Sequence, residues 1–252
     1  TRSDDGEYRV IALNNGCYSE HTDFSVENIS IVKPVIQTAS GTVMCPGTAL
    51  KLQIQNEEGL IPINSSNQYW LNHFLQKNGL RSSERKQLLA SLADYADPDN
   101  IRRPYGAEKK DYGSNRLNGE GKPRNYLLQS CNELWLVANW QAFLDRFPNF
   151  VRQCSLRRAG RLNLNAVPLS LWEVLWPNSL NKVKKERAKG EWLLSSSSVL
   201  AIEPSLLTAP ESLYSHLGNK RYKVDVRQNQ IKSEFTIELG TGKIKPITIK
   251  AK

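Results

Sequence analysis

The sequence predicts an α+β fold in which one antiparallel sheet is interrupted by a large, mainly helical domain. Short segments of alternating polarity stand at both ends of the 252-residue chain, whereas the middle repeats its apolar residues at helical spacing. A content of 39% hydrophobic and 23% charged residues is ordinary for a globular protein and argues against disorder. We therefore predict a discontinuous sheet domain, residues 1–57 and 206–252, with residues 58–205 inserted as a helical domain.

The first part of the chain has strand character. The segments YRVIAL, FSVENISIV, GTVM and LKLQIQ alternate in polarity and are separated by NNG, SG and PG turn signals. The stretch LKLQIQNEEGLIPIN predicts two strands joined through an EEG turn. The end of the chain returns to this pattern in RYKVDVRQ, IKSEFTIELG and KIKPITIKA, with a GTGK hairpin turn between the last two.

Helical periodicity dominates the region between these strands. The stretch SSNQYWLNHFLQKNGL predicts a serine-capped helix that is closed by Gly79. Its apolar face comprises Trp70, Leu71, Phe74 and Leu75. A leucine stripe in RSSERKQLLASLADY predicts a second helix, and ELWLVANWQAFLDRF, which begins after Ser130, predicts a third. Further helices are predicted in LSLWEVLW and NKVKKER, whereas residues 97–125 form a long polar loop.

The chain is basic, with a net charge of +9. Residues 180–252 alone hold 14 Lys and Arg against 7 Asp and Glu. Such a balance suits nucleic acid or an anionic membrane surface, but a solvated face is the favoured interpretation. No apolar run approaches the ~20 residues that span a bilayer.

One motif supports the nucleic-acid interpretation. The stretch GRLNLNAVPLSLWEVL is similar to the start of a helix–hairpin–helix, in which a glycine-containing hairpin presents backbone amides to phosphate. Here residues 176–178 (WPN) stand where that hairpin is needed, and no glycine follows until Gly190. A packing role for Asn163–Ala166 is therefore favoured, and a basic helix–hairpin–helix-like nucleic-acid binder is kept as the alternative function.

The sequence carries no motif of an enzyme. The nucleophile elbow, zincin helix, P-loop and dinucleotide fingerprint are all missing. The three histidines, His21, His73 and His216, are scattered and lack metal-ligand spacing. We therefore predict that the protein is not an enzyme.

The acidic stretch DYADPDN raises a calcium interpretation. Starting at Asp97, Asp99 and Glu108 fall at positions 3 and 12 of an EF-hand loop, but Ile101 and Arg102 occupy positions that such a loop reserves for an oxygen ligand and glycine. A different oxygen-rich calcium loop built on Asp97, Asp99 and Glu108 remains open. The alternatives are a helix end with an Asx-turn, in which arginines or solvent neutralise the carboxylates.

The four cysteines form two loose pairs in sequence, at 17 and 45 and at 131 and 154. Such an even count fits disulfides in an oxidising compartment, and free buried thiols are the alternative. In a periplasmic protein we expect Cys17–Cys45 and Cys131–Cys154 to be the bonds.

A series of short motifs then connects the chain to a known family. In chain order the motifs are NEEGLIPIN at 56–64, DYADPD at 94–99, GAE at 106–108 followed by Tyr112, RN at 124–125, CNEL at 131–134 and NLNA at 163–166. In this order they resemble the minor pseudopilin K subunit of the bacterial type II secretion system. The chain departs from the pattern at Tyr95, where the family has tryptophan, and at Cys131, where it has serine.

The resemblance implies a pilin-like sheet domain with a helical domain inserted between its strands, in agreement with the order of elements above. It implies a non-enzymatic subunit that caps the pseudopilus tip together with minor pseudopilins of the I and J types, and an exported protein is a further candidate partner. Such subunits are periplasmic and are held in the inner membrane by an N-terminal hydrophobic helix, which is missing from this sequence. Calcium is also implied, without an assignment of its ligands.

Overall fold

A computed structural model of the protein describes residues 50–112, 123–188, 193, 195–215, 221–228, 231–238 and 243–250. The strands predicted before residue 50 and the expected Cys17–Cys45 bond lie outside the described residues. Among the helices that the structure describes, none has the length and apolar character needed to cross a membrane.

The described elements alternate between a terminal sheet and a helical middle. In chain order they are β1 (Leu50–Asn56), β2 (Ile61–Pro62), α1 (Tyr69–Lys77), α2 (Ser82–Ala96), α3 (Lys109–Tyr112), α4 (Gln141–Arg146), α5 (Phe150–Gln153), β3 (Cys154–Ser155), β4 (Leu162–Asn163), α6 (Leu169–Leu175), α7 (Leu180–Ala188), α8 (Ser196–Ile202), β5 (Tyr214–Ser215), β6 (Arg221–Gln228), β7 (Ile231–Glu238) and β8 (Lys243–Lys250). Short 3₁₀ helices occupy Glu57–Gly59, Cys131–Leu136, Pro177–Ser179, Pro204–Thr208 and Glu211–Leu213. The predicted α+β class is confirmed.

The largest described sheet contains one strand from the start of the described chain and three strands from its end. Its strand order is β1-β6-β7-β8, and every neighbouring pair is antiparallel. Leu50 lies opposite Gln228, and Asn56 lies opposite Tyr222. Two strands that are adjacent in the sheet are therefore separated in the chain by residues 57–220. The division into domains at 57/58 and 205/206 stays a prediction.

The EEG turn does not return the chain to the main sheet. Residues 57–59 form a 3₁₀ helix that is capped by Asn56, whose Oδ1 accepts a hydrogen bond from the Glu58 N–H at 2.9 Å. The next strand, β2, pairs in parallel with β3 rather than with β1. The two strands on either side of the EEG turn thus exist as predicted, and they belong to different sheets.

Helix α1 packs the face that the sequence predicted. The buried side chains are Trp70, Leu71, Phe74 and Leu75. Gly79 follows the helix with a φ of 81°, a left-handed conformation that suits glycine. The predicted serine cap is wrong, because Ser65 Oγ accepts from the Asn67 N–H, and Asn67 Oδ1 in turn accepts from the Tyr69 N–H.

The third predicted helix is divided into two. It begins after Ser130 as expected, because the Ser130 and Glu133 side chains form a capping box. After Leu136 the chain leaves the helix, and Asn139 takes a left-handed φ of 69° before α4 starts. The Asn139 amide group holds this break by donating to Ser91 Oγ at 2.8 Å and accepting from Gln87 Nε2 at 3.0 Å.

The predicted Cys131–Cys154 disulfide is confirmed. Both cysteines are buried within the apolar core, where the bond ties the 3₁₀ helix of residues 131–136 to strand β3.

Removal of this bond by replacing both cysteines with serine is expected to lower the free energy of unfolding by about 3 kcal/mol, the chain-entropy estimate for a loop of this size. Urea denaturation of the oxidised protein and of the double variant measures the difference. Equal midpoints for the two proteins would contradict the expectation.

Candidate metal centre

Three carboxylates from two elements converge beside the end of helix α2. Asp97 is the first residue after the helix, and Asp99 follows it across Pro98, whereas Glu108 stands immediately before α3. One carboxylate oxygen from each of the three lies within 4.8 Å of the others. The structure therefore brings together all three of the residues that the sequence proposed as calcium ligands.

Glu108 is the most unusual member of the cluster. It is only 2% exposed, and within the described part of the chain no hydrogen bond of ordinary geometry reaches either carboxylate oxygen, although the adjacent Lys109 N–H acts to lower its pKa. Burial raises the pKa of this carboxyl group, and the charges of Asp94 and Asp97 raise it further. A buried ionised carboxylate is costly without a compensating charge or donor, so the site favours a cation.

The two carboxylate oxygens of Asp97 have different surroundings. Arg103 Nη1 contacts Asp97 Oδ2 and also lies 2.8 Å from Oδ1 of the fully buried Asp94. Asp97 Oδ1 is buried and has no hydrogen-bond partner among the described residues. Arg103 thus neutralises the Asp94 side of the site and leaves one Asp97 oxygen for an ion.

The other arginine that could have neutralised the cluster does not do so. Arg102 Nη1 lies 3.3 Å from Asp111 Oδ1, and the other Asp111 oxygen accepts from the Glu108 N–H at 2.8 Å. Arg102 therefore pairs with Asp111, outside the three-carboxylate cluster. Among the described residues, the ion pairs of the carboxylates at 94, 97, 99 and 108 are those that Arg103 makes with Asp94 and Asp97.

A tight turn brings Glu108 back to the end of α2. The Gly106 N–H donates to the Arg103 carbonyl at 3.0 Å, with Pro104 and Tyr105 in the centre of the turn. Gly106 is required by space, because a Cβ there would lie 2.0 Å from Asp94 Oδ2. Tyr105 has a φ of 69°, a conformation that glycine or asparagine adopts more easily in the third position of a turn.

Arg124 and Asn125, near the far end of the long polar loop, are hydrogen-bonded to the same end of helix α2. The N–H groups of Arg124 and Asn125 both donate to the Tyr95 carbonyl at 3.1 Å. Asn125 Nδ2 donates to the Asp99 carbonyl at 2.7 Å, so the RN motif holds the backbone of the acidic segment. The Asp99 side chain accepts from the Ile101 N–H at 2.7 Å and so forms the Asx-turn that was the alternative to a calcium loop.

A buried hydrogen bond fixes helix α3, which directly follows Glu108. The Tyr112 hydroxyl accepts a hydrogen bond from the Ala138 N–H at 3.0 Å and is buried. Burial raises the pKa of Tyr112 to about 12. This tyrosine, which follows the GAE motif, fixes the position of the helix and thereby of the carboxylate before it.

The donor set suits calcium better than other common metals. Its ligand atoms are all carboxylate oxygens, which hard cations prefer, and the cluster contains neither histidine nor cysteine. Oxygens on one calcium ion at 2.3–2.6 Å are separated by up to about 5 Å, in agreement with the spread of this cluster. The sequence offered the neighbouring arginines as an alternative counter-charge without choosing between Arg102 and Arg103. It missed the role of Gly106, although Gly106 stands in a motif that it identified.

The NLNA motif has a packing role. Asn163 and Asn165 are buried, and Asn165 exchanges two hydrogen bonds with the backbone of Leu193, at 2.9 and 3.0 Å. Arg187, from the basic helix α7, donates to the carbonyls of Leu164 and Val167. These groups hold the backbone of the protein itself, so the helix–hairpin–helix interpretation finds no support.

Comparison with known proteins finds a family that part of the chain resembles. Residues 49–145 match the model of the family described as type II secretion system protein K. Over these residues the chain is similar to the type II secretion protein K family. The match includes β1, helices α1 to α3 and all three carboxylates of the candidate metal centre.

A solved structure extends the protein K comparison beyond the family match. The fold is similar to that of a chain in the crystal structure of the GspK-GspI-GspJ complex from the enterotoxigenic Escherichia coli type 2 secretion system. The TM-score is 0.60 at 12% sequence identity, over 84% of this chain and 83% of that chain. No curated protein sequence matches the chain.

Proposed function

We propose that this protein is a minor pseudopilin, a non-enzymatic structural subunit that caps the pseudopilus tip of a type II secretion system and supports protein export across the outer membrane. The observation that carries the proposal is the protein K match over residues 49–145. The side chains within that match perform structural tasks, since they cap helices, fasten a loop and gather three carboxylates.

The partners that we propose are two other minor pseudopilins, of the I and J types. The similar solved chain comes from a complex of GspK with GspI and GspJ, which supports a three-subunit assembly for this protein. We place the protein in the periplasm, with the full-length form anchored in the inner membrane. The Cys131–Cys154 disulfide supports an oxidising compartment.

A cap must join a filament without extending it. Head-to-tail contacts propagate into an open fibre unless one end of a subunit is obstructed. Residues 57–220 connect two neighbouring antiparallel strands of the main sheet, and this large region therefore leaves and re-enters the sheet at the same end of those strands. We propose that it blocks the addition of a further subunit, whereas the sheet contacts the partners.

Calcium is the ligand that we propose for Asp97, Asp99 and Glu108. The support is the buried Glu108 carboxylate, which no described residue reaches with a hydrogen bond of ordinary geometry, together with the three carboxylate oxygens that lie within 4.8 Å of one another. The ion would fasten the acidic segment after α2 to the start of α3, and backbone carbonyls of the loop would complete its coordination.

The assembly is tested by co-purification with the soluble domains of the I- and J-type subunits encoded in the same genome. The expected result is one complex of the three proteins and no filament of this protein alone. In cells, deletion of the gene is expected to stop export of type II substrates, and the intact gene is expected to restore it. Normal export in the deletion strain, with no complex in vitro, would refute the proposed function.

A further inference from the structure

The helical region is joined to the main sheet by a narrow covalent connection. Residues 57–220 leave the sheet after β1 and return at the start of β6, where Asn56 and Tyr222 lie opposite each other. The Cys131–Cys154 bond lies inside the region and adds no link to the sheet. Two adjacent links alone would form a hinge, since a few residues at the ends of elements can absorb a large rotation between two bodies. A fixed orientation therefore requires non-covalent contacts across the connection.

The carboxylate of Glu57 holds the connection against the sheet. Glu57 is the first residue of the 3₁₀ helix that follows β1, and it is only 2% exposed. Its Oε2 lies 2.9 Å from Nε of Arg221 on β6, and its Oε1 accepts a hydrogen bond from Thr236 Oγ1 on β7 at 3.3 Å. One buried side chain thus binds the 3₁₀ helix to two strands of the sheet.

Arg157 holds the same 3₁₀ helix against the helical region. This side chain is buried, and its guanidinium donates to the carbonyls of Glu57 at 3.2 Å, Glu58 at 3.3 Å and Arg161 at 2.8 Å. Its Nη1 lies 3.8 Å from Glu58 Oε1. Burial lowers the pKa of Arg157, and the charges of Glu58 and Glu57 oppose that effect. The planar group with its several donors therefore joins the 3₁₀ helix to the segment that follows β3.

A second set of contacts crosses between the same two parts. Gln55 Nε2, near the end of β1, donates to the Ala166 carbonyl at 2.8 Å, and the Gly59 backbone packs against that carbonyl. The 3₁₀ helix contacts β6 in the sheet and β4 in the helical region. We call residues 55–59, Arg157 and Arg221 the neck.

The charges of the neck balance one another. Arg157 pairs with Glu58, and Arg221 pairs with Glu57, so the group holds two acids and two bases. A buried ion network of this kind contributes little net stability compared with apolar side chains of similar volume, because desolvation offsets the attraction. In some proteins such a network instead favours one arrangement of the parts that carry it.

We propose that the neck is an orientation lock, which holds the helical region at one angle to the sheet, and that capping requires this fixed angle. A region free to rotate on two links would block the next subunit for only part of the time and would leave the joining surface open for the rest. This inference rests on the proposed capping role, and it assigns Glu57 and Arg157 as the residues that position the cap.

The test removes the lock without leaving a buried charge unpaired. Glu57→Gln combined with Arg221→Met replaces an ion pair with neutral groups, a change that is often nearly neutral for stability. Arg157→Lys is the second neck variant, since it keeps the positive charge and loses the planar fork of donors. Arg81→Met combined with Glu84→Gln is the matched control. It makes the same changes in an exposed ion pair within α2, and glutamine at position 84 can still accept from the backbone N–H of residue 81.

Double electron–electron resonance measures the orientation as a distance between two spin labels. The labels are attached to the whole protein through unnatural amino acids at Gln76 in α1 and Lys232 in β7, so the native cysteines are untouched. Wild type and the control should each give one narrow distribution of distances. Both neck variants should give a distribution roughly twice as wide, as hinge motion between two bodies produces. Thermal melting shows whether each variant is folded.

Export in cells tests whether the fixed angle matters. The neck variants should still co-purify with the I- and J-type subunits, because the sheet is the part that we propose contacts them. Export in a strain that carries either neck variant should fall roughly fivefold or more, since only the fraction of molecules in the blocking orientation can cap. The control variant should support the same export as wild type.

Each of the other outcomes decides against a part of the inference. An unchanged distribution in either folded neck variant, or equal widening in the control, would overturn the lock. If the double variant does not fold, Arg157→Lys decides the question, and failure of both to fold would show that the neck serves stability instead. A wide distribution with normal export would overturn the need for a fixed angle. If wild type forms no complex with the other pseudopilins and supports no export, the proposed function fails, whereas the distance distributions still test the lock.

Discussion

Replacement of Gly59 with alanine is expected to lower the free energy of unfolding by about 3 kcal/mol or more, at the upper end of the cost of overpacking. A Cβ at this position would lie 1.9 Å from the Ala166 carbonyl oxygen and 2.2 Å from its carbon. Both atoms belong to backbone, so no rotation of a flexible side chain can relieve the contact. The backbone of residues 166–167 would have to move.

That backbone is held from several sides, which is why the cost should be large. Gln55 Nε2 donates to the same Ala166 carbonyl at 2.8 Å, and Arg187 donates to the Val167 carbonyl at 2.9 Å. On the other side of Gly59, the buried Arg157 donates to the carbonyls of Glu57 and Glu58. The close approach therefore joins the end of β1 to the NLNA motif at the base of the helical region.

Gly79→Ala provides the matched control. Gly79 has a φ of 81°, yet nothing lies within 4 Å of the position that its Cβ would take. Alanine there should cost only about 1 kcal/mol, the penalty for a left-handed residue with a side chain. Urea denaturation of both variants compares the two costs. If Gly59→Ala destabilises no more than Gly79→Ala, close backbone packing at Gly59 is not the reason for the glycine.

The sequence could predict the fold class because periodicity is a local property. Alternation in RYKVDVRQ and IKSEFTIELG identified strands β6 and β7, and the spacing of Trp70, Leu71 and Phe74 identified the buried face of α1. The division of the third helix was missed because it depends on distant partners. Asn139 reverses the chain through hydrogen bonds to Ser91 and Gln87, and no window around residue 139 contains them.

The candidate site shows the same division between local and distant information. The spacing of Asp97, Asp99 and Glu108 was enough to propose a shared ion, because all three lie in one short segment. Which arginine neutralises which carboxylate could not be predicted, since Arg102 and Arg103 are adjacent and equivalent in sequence. The turn at Pro104–Gly106 makes the choice by directing Arg103 toward Asp94 and leaving Arg102 to Asp111.

Glu108→Gln should have opposite effects on stability with and without calcium. In a chelator, the variant is expected to melt at a higher temperature than wild type, because it removes the charge of a buried carboxylate that no hydrogen bond of ordinary geometry stabilises in the described structure. In calcium at 100 times its dissociation constant, wild type should gain about 2.7 kcal/mol from binding, and the variant should gain almost nothing. Thermal melting of both proteins in both buffers measures the reversal.

The pH dependence of stability is a second test of the buried carboxylate, because the direction of the expected change is known. Burial and the neighbouring carboxylates raise the pKa of Glu108, so the folded state favours its protonated form. In a chelator, the ionised Glu108 lowers the stability of the wild type at neutral pH. As the pH falls through that pKa the carboxylate takes up a proton, so the stability of the wild type should rise toward that of Glu108→Gln. In calcium, the same protonation should weaken binding, so the stabilisation of wild type should decline with pH.

Asp99→Asn tests whether the gain in stability in chelator comes from removing a buried carboxylate or from removing any negative charge at the cluster. Asp99 is exposed, so its carboxylate is already solvated in the calcium-free protein. The variant should lose part of the response to calcium without the gain in stability in chelator. The same gain in chelator from Asp99→Asn and Glu108→Gln would indicate general charge repulsion. A gain confined to Glu108→Gln, together with its lost calcium response, would identify the buried carboxylate as the group that the ion neutralises.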